Sequence, residues 1–176
     1  MPTINAALGA LARHCRFNTA RANAIARRLQ DSGVLPKGGP NNPPQINGEG
    51  FAALFLALAS DTTIAAAPAN VATLLSATPG GASLDGAPAS IGTARSELLA
   101  LVETALDEPD DLEGFAIEVV TNWPEIAISQ FGKVIGRYQQ QGTISGHWQS
   151  RGHRRSTTVT GAAFRDAVRS TFKGNS

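Results

Sequence analysis

The sequence is poor in the residues from which small proteins build disulfides, zinc sites and membrane segments. Cys15 is the single cysteine among 176 residues, so an internal disulfide is excluded and a cysteine-based zinc site is not expected. The longest apolar run, Phe51–Ala59, is about half of the roughly 20 residues that span a bilayer. The N-terminus lacks the basic flank and apolar stretch of a signal peptide. These absences predict a soluble, cytoplasmic protein with no membrane partner.

The groups that carry catalysis are also scarce. Neither glycine-rich phosphate motif, GxxxxGK[ST] or GxGxxG, is present. His14 and Cys15 are adjacent, so in a helix they point about 100° apart and cannot form a nucleophile–base pair. His147 and His153 lack a third ligand or a nearby carboxylate, and the acidic run 107–113 lacks the spacing of a calcium loop. We therefore predict no enzyme, no cofactor and no metal.

Charge is segregated along the chain although the net charge is only +1. Residues 1–40 hold six Lys or Arg and one Asp (+5), and residues 41–129 hold one Arg and twelve acids (−11). Residues 130–176 hold eight Lys or Arg and one Asp (+7). Basic ends around an acidic middle predict that different parts meet different partners, and that the middle does not contact DNA.

Residues 8–39 predict two helices joined by a tight turn at Arg16–Asn18, which is a helix-turn-helix pattern. The first helix begins near Thr3 and runs to about His14. In the second helix, Ala22, Ile25 and Leu29 recur at the spacing of one buried face. An extended arm is predicted after it, over residues 37–45, because Pro40, Pro43 and Pro44 disfavour a strand.

The opposite face of the second helix carries residue types that read DNA. Arg pairs with guanine and Asn with adenine, and the N-terminal turn of such a helix enters the major groove. Arg16 stands in the turn where many such motifs keep a glycine. The alternative is an ordinary helical hairpin with a solvated Arg-rich face. The predicted DNA-binding residues are Asn18, Thr19, Arg21, Asn23, Arg27, Arg28 and Lys37.

The middle of the chain predicts helices with much apolar surface. Asn47 can cap a helix over Gly48–Ser60 that is apolar on nearly every face, and a long helix is expected from about Ile91 to Asp107. A short helix over Pro68–Ala77 and a flexible loop or linker over Thr78–Ala89 lie between them. We expect intersubunit packing, with packing inside the monomer as the alternative for the long helix. The predicted oligomerisation residues are Phe51, Leu54, Phe55, Leu58, Leu98, Leu101 and Val102.

The C-terminal part predicts a small antiparallel sheet covered by one helix. Thr160 can cap a last helix that ends at Phe172. The basic stretch 147–155 (HWQSRGHRR) has two interpretations, a nucleic-acid contact with Trp148 as a stacking platform or a contact with an acidic partner. The strand candidates are Phe115–Val120, Trp123–Ile128, Lys133–Gln139 and Arg154–Thr160.

The expected fold class is α+β, mainly α, in three parts: a helix-turn-helix DNA-binding unit (1–45), a central helical oligomerisation region (46–110), and a small β-sheet plus helix that binds a partner (111–176).

In the order of these three parts, the chain resembles phage small terminase subunits. The resemblance is carried by the motif LARHCRFNTARANAIARRLQDSG, the two central helices and the terminal strands. The passage ARRLQDSGVLPKGGPNNPPQINGEGFAALFLALAS also looks like proteins of prophage-type gene clusters.

The resemblance implies a non-catalytic homo-oligomeric ring that binds the viral genome as double-stranded DNA. Such a ring would present the genome to the large terminase subunit in the bacterial host cytoplasm. One alternative is a helix-turn-helix transcriptional regulator of phage or bacterial origin, which would bind an operator as a dimer. Another is a structural or adaptor protein that does not bind DNA. Native mass separates the first two, since a ring of many subunits favours packaging and a dimer favours regulation.

Overall fold

A computed structural model describes residues 1–144 and 152–174 of the chain. The fold is α+β and mainly α, as predicted, with 45% helix and 18% strand. The helices and strands of the described residues are, in chain order, α1 (Ile4–His14), α2 (Thr19–Asp31), α3 (Gly48–Ala59), α4 (Ala67–Leu75), β1 (Thr78–Pro79), α5 (Ala94–Asp107), a 3₁₀ helix (Pro109–Leu112), β2 (Phe115–Val120), β3 (Glu125–Gln130), β4 (Lys133–Gln139), β5 (Ser156–Thr160) and α6 (Gly161–Phe172).

The two N-terminal helices begin and end close to where the sequence predicts. The Thr3 hydroxyl caps α1 by accepting a hydrogen bond from the Ala6 amide, and the Asn18 side chain caps α2 in the same way. The predicted inner face of α2 is buried, and α2 packs against α1, α3 and α4. Gly33, just beyond α2, has φ +81°, as a left-handed helix end requires.

Helix α3 lies at the centre of the hydrophobic core. Every residue from Gly50 to Ala59 is buried, and the helix contacts α2, α4, α5 and β5. Phe51 and Phe55 meet Phe164 of α6 edge to face, with ring centroids 5.9 Å and 5.1 Å apart. A helix that is apolar on all sides is thus enclosed by the chain itself.

Our reason for placing the central apolar residues in a subunit interface was therefore wrong. The expectation assumed that one chain could not cover them, but α4, α5, α6 and the sheet do so. For the long helix, now α5, the alternative to intersubunit packing was packing inside the monomer. This alternative accounts for the apolar stripe of α5. Oligomerisation itself stays a prediction that these residues no longer support. The residues concerned, all at most 6% exposed, are Phe51, Leu54, Phe55, Leu58, Leu98, Leu101 and Val102.

The strands form one antiparallel sheet in the order β1-β4-β3-β2-β5. One face carries Ile117, Val119, Ile126 and Ile128 into the core, and α6 contacts β2 and β5. The other face carries polar and charged side chains, among them Glu118. The antiparallel sheet with one helix against it, as predicted for the C-terminal part, is present, although burial does not alternate strictly along β2 and β3.

Several predicted boundaries were wrong by a few residues. Strand β3 begins after Pro124, which has no amide proton to donate to a ladder, and β5 begins at Ser156 rather than Arg154. Helix α5 begins at Ala94 rather than near Ile91, and α4 runs over Ala67–Leu75.

The predicted linker is in part a strand. Thr78 and Pro79 form β1, which pairs with Gln139 and Tyr138 of β4 at the sheet edge. A two-residue strand carries no periodic signal, so only its distant partner identifies it.

The three predicted parts share one hydrophobic core. Helix α1 packs against α6, and the His14 Nε2 lies 2.9 Å from the Ser170 Oγ. The predicted extended arm folds back, because Gln45 pairs with Thr3 and a tight turn closes between Gly39 and Asn42. The ranges 1–45, 46–110 and 111–176 therefore mark stretches of sequence around a common core. Among the described residues, no helix combines the length and the apolar character that crossing a membrane requires.

Candidate DNA-binding surface

The surface of α2 that faces away from the core carries most of the predicted DNA-binding residues. The buried positions Ala22, Ile25, Ala26 and Leu29 fix the orientation of the helix. The side opposite to them is therefore turned to solvent. The exposed predicted residues are Asn18, Thr19, Asn23, Arg27, Arg28 and Lys37.

Four cations at this surface have no acidic partner within the described residues. Arg16, Arg27, Arg28 and Lys37 are exposed, and none of them takes part in an ion pair or a side-chain hydrogen bond there. Asp31 is the only acid in the first 48 residues. We name these four residues the cationic surface.

Arg21 has a different role from the base contact that we predicted. Its guanidinium donates to the Thr62 carbonyl and lies 3.2 Å from an Asp61 carboxylate oxygen. The side chain is 35% exposed. Arg21 therefore joins α2 to the loop between α3 and α4, and a base contact would require both interactions to break. Nothing near Arg21 in the sequence predicts this, because Asp61 lies forty residues away.

Asn18 and Asn23 differ in what they can offer DNA. The Asn18 Oδ1 accepts a hydrogen bond from the Arg21 amide at 2.9 Å, so this oxygen is used in capping the helix. Asn23 is exposed and its side-chain amide has no hydrogen bond among the described residues. Asn23 lies one turn before Arg27, and residues four apart share a helix face. This pair is the best-placed candidate for reading bases.

The turn before α2 places Arg16 in an unusual backbone conformation. Its φ is +62°, the left-handed region that glycine occupies at low cost. The next residue, Phe17, is partly buried and packs edge to face on Phe55 with ring centroids 6.4 Å apart. The turn is therefore anchored to the core, while Arg16 is exposed. Arg16 was not among our predicted DNA-binding residues, but its exposure beside α2 makes it a further candidate.

Lys37 is held near the end of α2. The Gln30 side chain on α2 donates to the Pro36 carbonyl at 3.1 Å. The chain then turns at Gly39–Asn42 and returns to the N-terminus, where the Ile4 amide donates to the Pro44 carbonyl. Lys37 is thus fixed at the base of a short, tied segment rather than on an extended arm.

The basic stretch 147–155 is only partly described. Residues 147–151 lie outside the described residues, so both interpretations of this stretch stay predictions. Arg154 lies 3.0 Å from a Glu118 oxygen and 2.8 Å from a Glu125 oxygen. Burial lowers the pKa of the Arg154 guanidinium, but hydrogen bonds and the charges of both carboxylates outweigh it and raise the pKa above its usual value. Arg154 therefore stabilises the sheet.

Cys15 is protected from ionisation. Burial, followed by the charge of Asp166, raises the pKa of its thiol to about 12. The thiol also points toward the Ala163 carbonyl, 3.7 Å away. A thiol with this pKa is almost entirely protonated at neutral pH and is a poor nucleophile. Within the described residues, no group of three or more His, Cys, Asp or Glu side chains could hold a metal ion.

No family model, no curated protein and no solved structure matches this chain. Its likeness to small terminase subunits therefore rests on the order of its sequence features. What the chain can bind must be inferred from the chemistry of its own surfaces.

Proposed function

We propose that this chain is a non-catalytic protein that binds double-stranded DNA through the exposed face of α2. The observation that carries the proposal is the cationic surface. Arg27 and Arg28 extend from a helix that is capped at its start and buried on its opposite face, and among the described residues neither arginine forms an ion pair, not even with Asp31 at the end of the same helix. Unpaired arginines on a helix that follows a tight turn suit the phosphates and base edges of a major groove.

The residues of this surface divide by what they can contact. Asn23 and Arg27 lie one helical turn apart and suit adenine and guanine edges. Arg16, Arg28 and Lys37 flank them and suit phosphates, whose contacts fix the orientation of the protein on the duplex. Arg21 supports this arrangement indirectly, because its contacts with Asp61 and Thr62 hold α2 to the core.

The biological role that we propose is recognition of a phage genome for packaging. In this role the chain is a small terminase subunit that acts in the bacterial host cytoplasm, assembles as a ring and engages the large subunit. Support comes from the order of helical pair, central helices and terminal sheet. A ring would have to use surfaces other than α3 and the α5 stripe, which are buried in one chain. A dimeric transcriptional regulator is the alternative, and native mass by light scattering separates the two.

The decisive experiment is DNA binding by charge-matched variants. Fluorescence anisotropy with a labelled duplex would compare wild type with the double variant Arg27→Ala/Arg28→Ala. The control double variant, Arg95→Ala/Lys133→Ala, removes the same charge from α5 and β4. We expect the α2 variant to lose about 1–3 kcal/mol per base contact and to reduce the slope of log K against log salt by about one per phosphate contact.

The control should bind nearly as wild type does. Equal binding by the α2 variant and the control would show that the Arg-rich face is merely solvated. Such a result would favour the structural or adaptor alternative, in which this protein does not bind DNA.

A further inference from the structure

The turn between β3 and β4 holds a large apolar residue where its backbone and its exposure both disfavour one. Gln130 pairs with Lys133, so Phe131 and Gly132 alone make the turn. Both have positive φ, +48° and +78°, which favours Asn or Gly at the first position. Phe131 is nevertheless there, and it is 77% exposed. Neither the stability of the turn nor the solubility of the protein explains a phenylalanine at position 131.

The Phe131 ring is held in place rather than loose. The Phe131 amide donates to the Gly114 carbonyl at 2.8 Å. Any side chain at Gly114 would begin 2.4 Å from the ring, so the ring lies directly against the Gly114 backbone. One face of the ring is thereby supported, and most of its surface remains open to solvent.

Phe131 borders a cleft of about 570 Å³ between the β3–β4 turn, α5 and the 3₁₀ helix. Leu101 and Leu112 are buried residues in its wall, and Ile135, which is 54% exposed, also lines it. We call this feature the acidic cleft, because its rim carries the exposed carboxylates Asp110, Asp111 and Glu113. Among the described residues, none of these three carboxylates is in an ion pair.

Every charged residue that lines the cleft is acidic. Residues 96–132 contain nine acids and no Lys or Arg, and the first cation after them is Lys133. Unpaired carboxylates around an apolar depression complement a ligand that is cationic and apolar together.

We propose that the acidic cleft is a docking site for a partner protein, which it binds through a segment that carries Lys or Arg beside large apolar side chains. The partner's apolar residues would cover Phe131 and Ile135, and its cations would face the carboxylates of the rim. An aromatic anchor within a polar rim is the usual anatomy of a protein interface. This proposal does not depend on DNA binding by α2.

A second copy of this chain fits the cleft less well. A two-fold contact between two clefts would place carboxylates against carboxylates. The cationic surface of another copy has the right charge, but its exposed apolar residues, Ala20 and Val34, are small and neither is aromatic. The observations therefore favour a different protein as the occupant.

The test uses the full chain and two labelled synthetic peptides as probes. One peptide is an amphipathic helix of Leu and Lys, and the other has Glu in place of every Lys. Fluorescence anisotropy would measure binding to wild type, to Phe131→Asn and to the control Ile64→Asn, which changes another exposed apolar residue. Asn suits the positive φ of the turn, so the Phe131→Asn variant should fold, which a thermal melt would verify.

We expect wild type to bind the Lys peptide and not the Glu peptide. Phe131→Asn should weaken that binding by about tenfold or more, as for loss of an anchor residue. Ile64→Asn should bind as wild type does, and Asp110→Asn/Asp111→Asn should weaken binding and lower its salt dependence.

Three results would overturn the proposal. The first is equal binding of the Lys peptide by wild type and Phe131→Asn. The second is no preference of wild type for the Lys peptide over the Glu peptide. The third is concentration-dependent self-association of wild type in sedimentation velocity that Phe131→Asn abolishes, which would assign the cleft to a second copy.

Discussion

Replacing Glu125 by Gln tests whether the charged face of the sheet stabilises the fold. Glu125 on β3 is fully buried and accepts hydrogen bonds from Arg137 at 2.6 Å and Gln139 at 2.5 Å. The Arg154 guanidinium also lies 2.8 Å away. One carboxylate thus joins β3, β4 and the segment that leads into β5. Gln has the same shape but no charge, so Glu125→Gln isolates the electrostatic part of these contacts.

The expected loss is about 3 kcal/mol in the free energy of unfolding. Removing one partner of a buried ion pair costs about 3–5 kcal/mol, because the other charge is left uncompensated. The low end applies here, since Arg137 is 35% exposed and Arg154 retains its contact with Glu118. For a chain of this length, that loss corresponds to a fall in Tm of roughly 6–12 °C.

The control for this prediction is Glu49→Gln. Glu49 and Arg95 are also 2.6 Å apart, but their side chains are 50% and 54% exposed. An exposed pair contributes about 0–1 kcal/mol, so Glu49→Gln should melt within a few degrees of wild type. Thermal unfolding followed by circular dichroism measures both. If the two variants lost the same amount, burial would not be what makes the Glu125 contacts strong, and the reasoning would fail.

Two further predictions concern the α1–α2 turn. Arg16→Gly should raise the free energy of unfolding by about 1 kcal/mol, because glycine relieves the left-handed φ at Arg16, and it should weaken DNA binding, because a cation is lost. A destabilised variant in chemical denaturation would contradict the turn geometry. The Cys15 thiol, with its pKa raised to about 12, should react with a thiol reagent at pH 8 more than about tenfold more slowly in the native protein than in urea. Equal rates in the two states would show that the thiol is not shielded.

The sequence best predicts those features of the fold whose cause lies within a few residues along the chain. Asn47 and Thr160 cap helices where expected, because each cap depends on an amide three residues later. The enclosure of α3 could not be predicted, since Phe164, which covers Phe51 and Phe55, lies more than a hundred residues further along the chain. An apolar helix shows that something must cover it, and only the tertiary fold shows what does.

The candidate DNA-binding surface also combines features that the sequence predicts with features that only the tertiary fold determines. The position of Arg27 follows from the buried face of α2, which the spacing of Ala22, Ile25 and Leu29 predicts. The contact of Arg21 follows from where the α3–α4 loop passes, which no local pattern contains. Helix periodicity predicts which cations are exposed, but the fold decides which of them are paired.

The charged residues of the described fold divide into those that are paired and those that are not. Arg137 forms an ion pair with Glu125, and Arg154 forms ion pairs with Glu118 and Glu125. These ion pairs hold the strands of the sheet together. The cationic surface and the rim of the acidic cleft each keep charges of one sign that the described fold does not neutralise. Unneutralised like charges repel one another and lower stability, and a ligand of opposite charge would relieve that repulsion.

The two surfaces are also built from different elements. The cationic surface belongs to α2 and the turns beside it, whereas the acidic cleft lies between α5, the 3₁₀ helix and the β3–β4 turn. The carboxylates of the cleft repel DNA, and the arginines of α2 repel a basic peptide. If both proposals hold, each surface would repel the ligand of the other, and one chain could hold DNA and a basic protein segment at the same time. The segregated charge of the sequence predicts only that different parts of the chain meet different partners, and this stays a prediction.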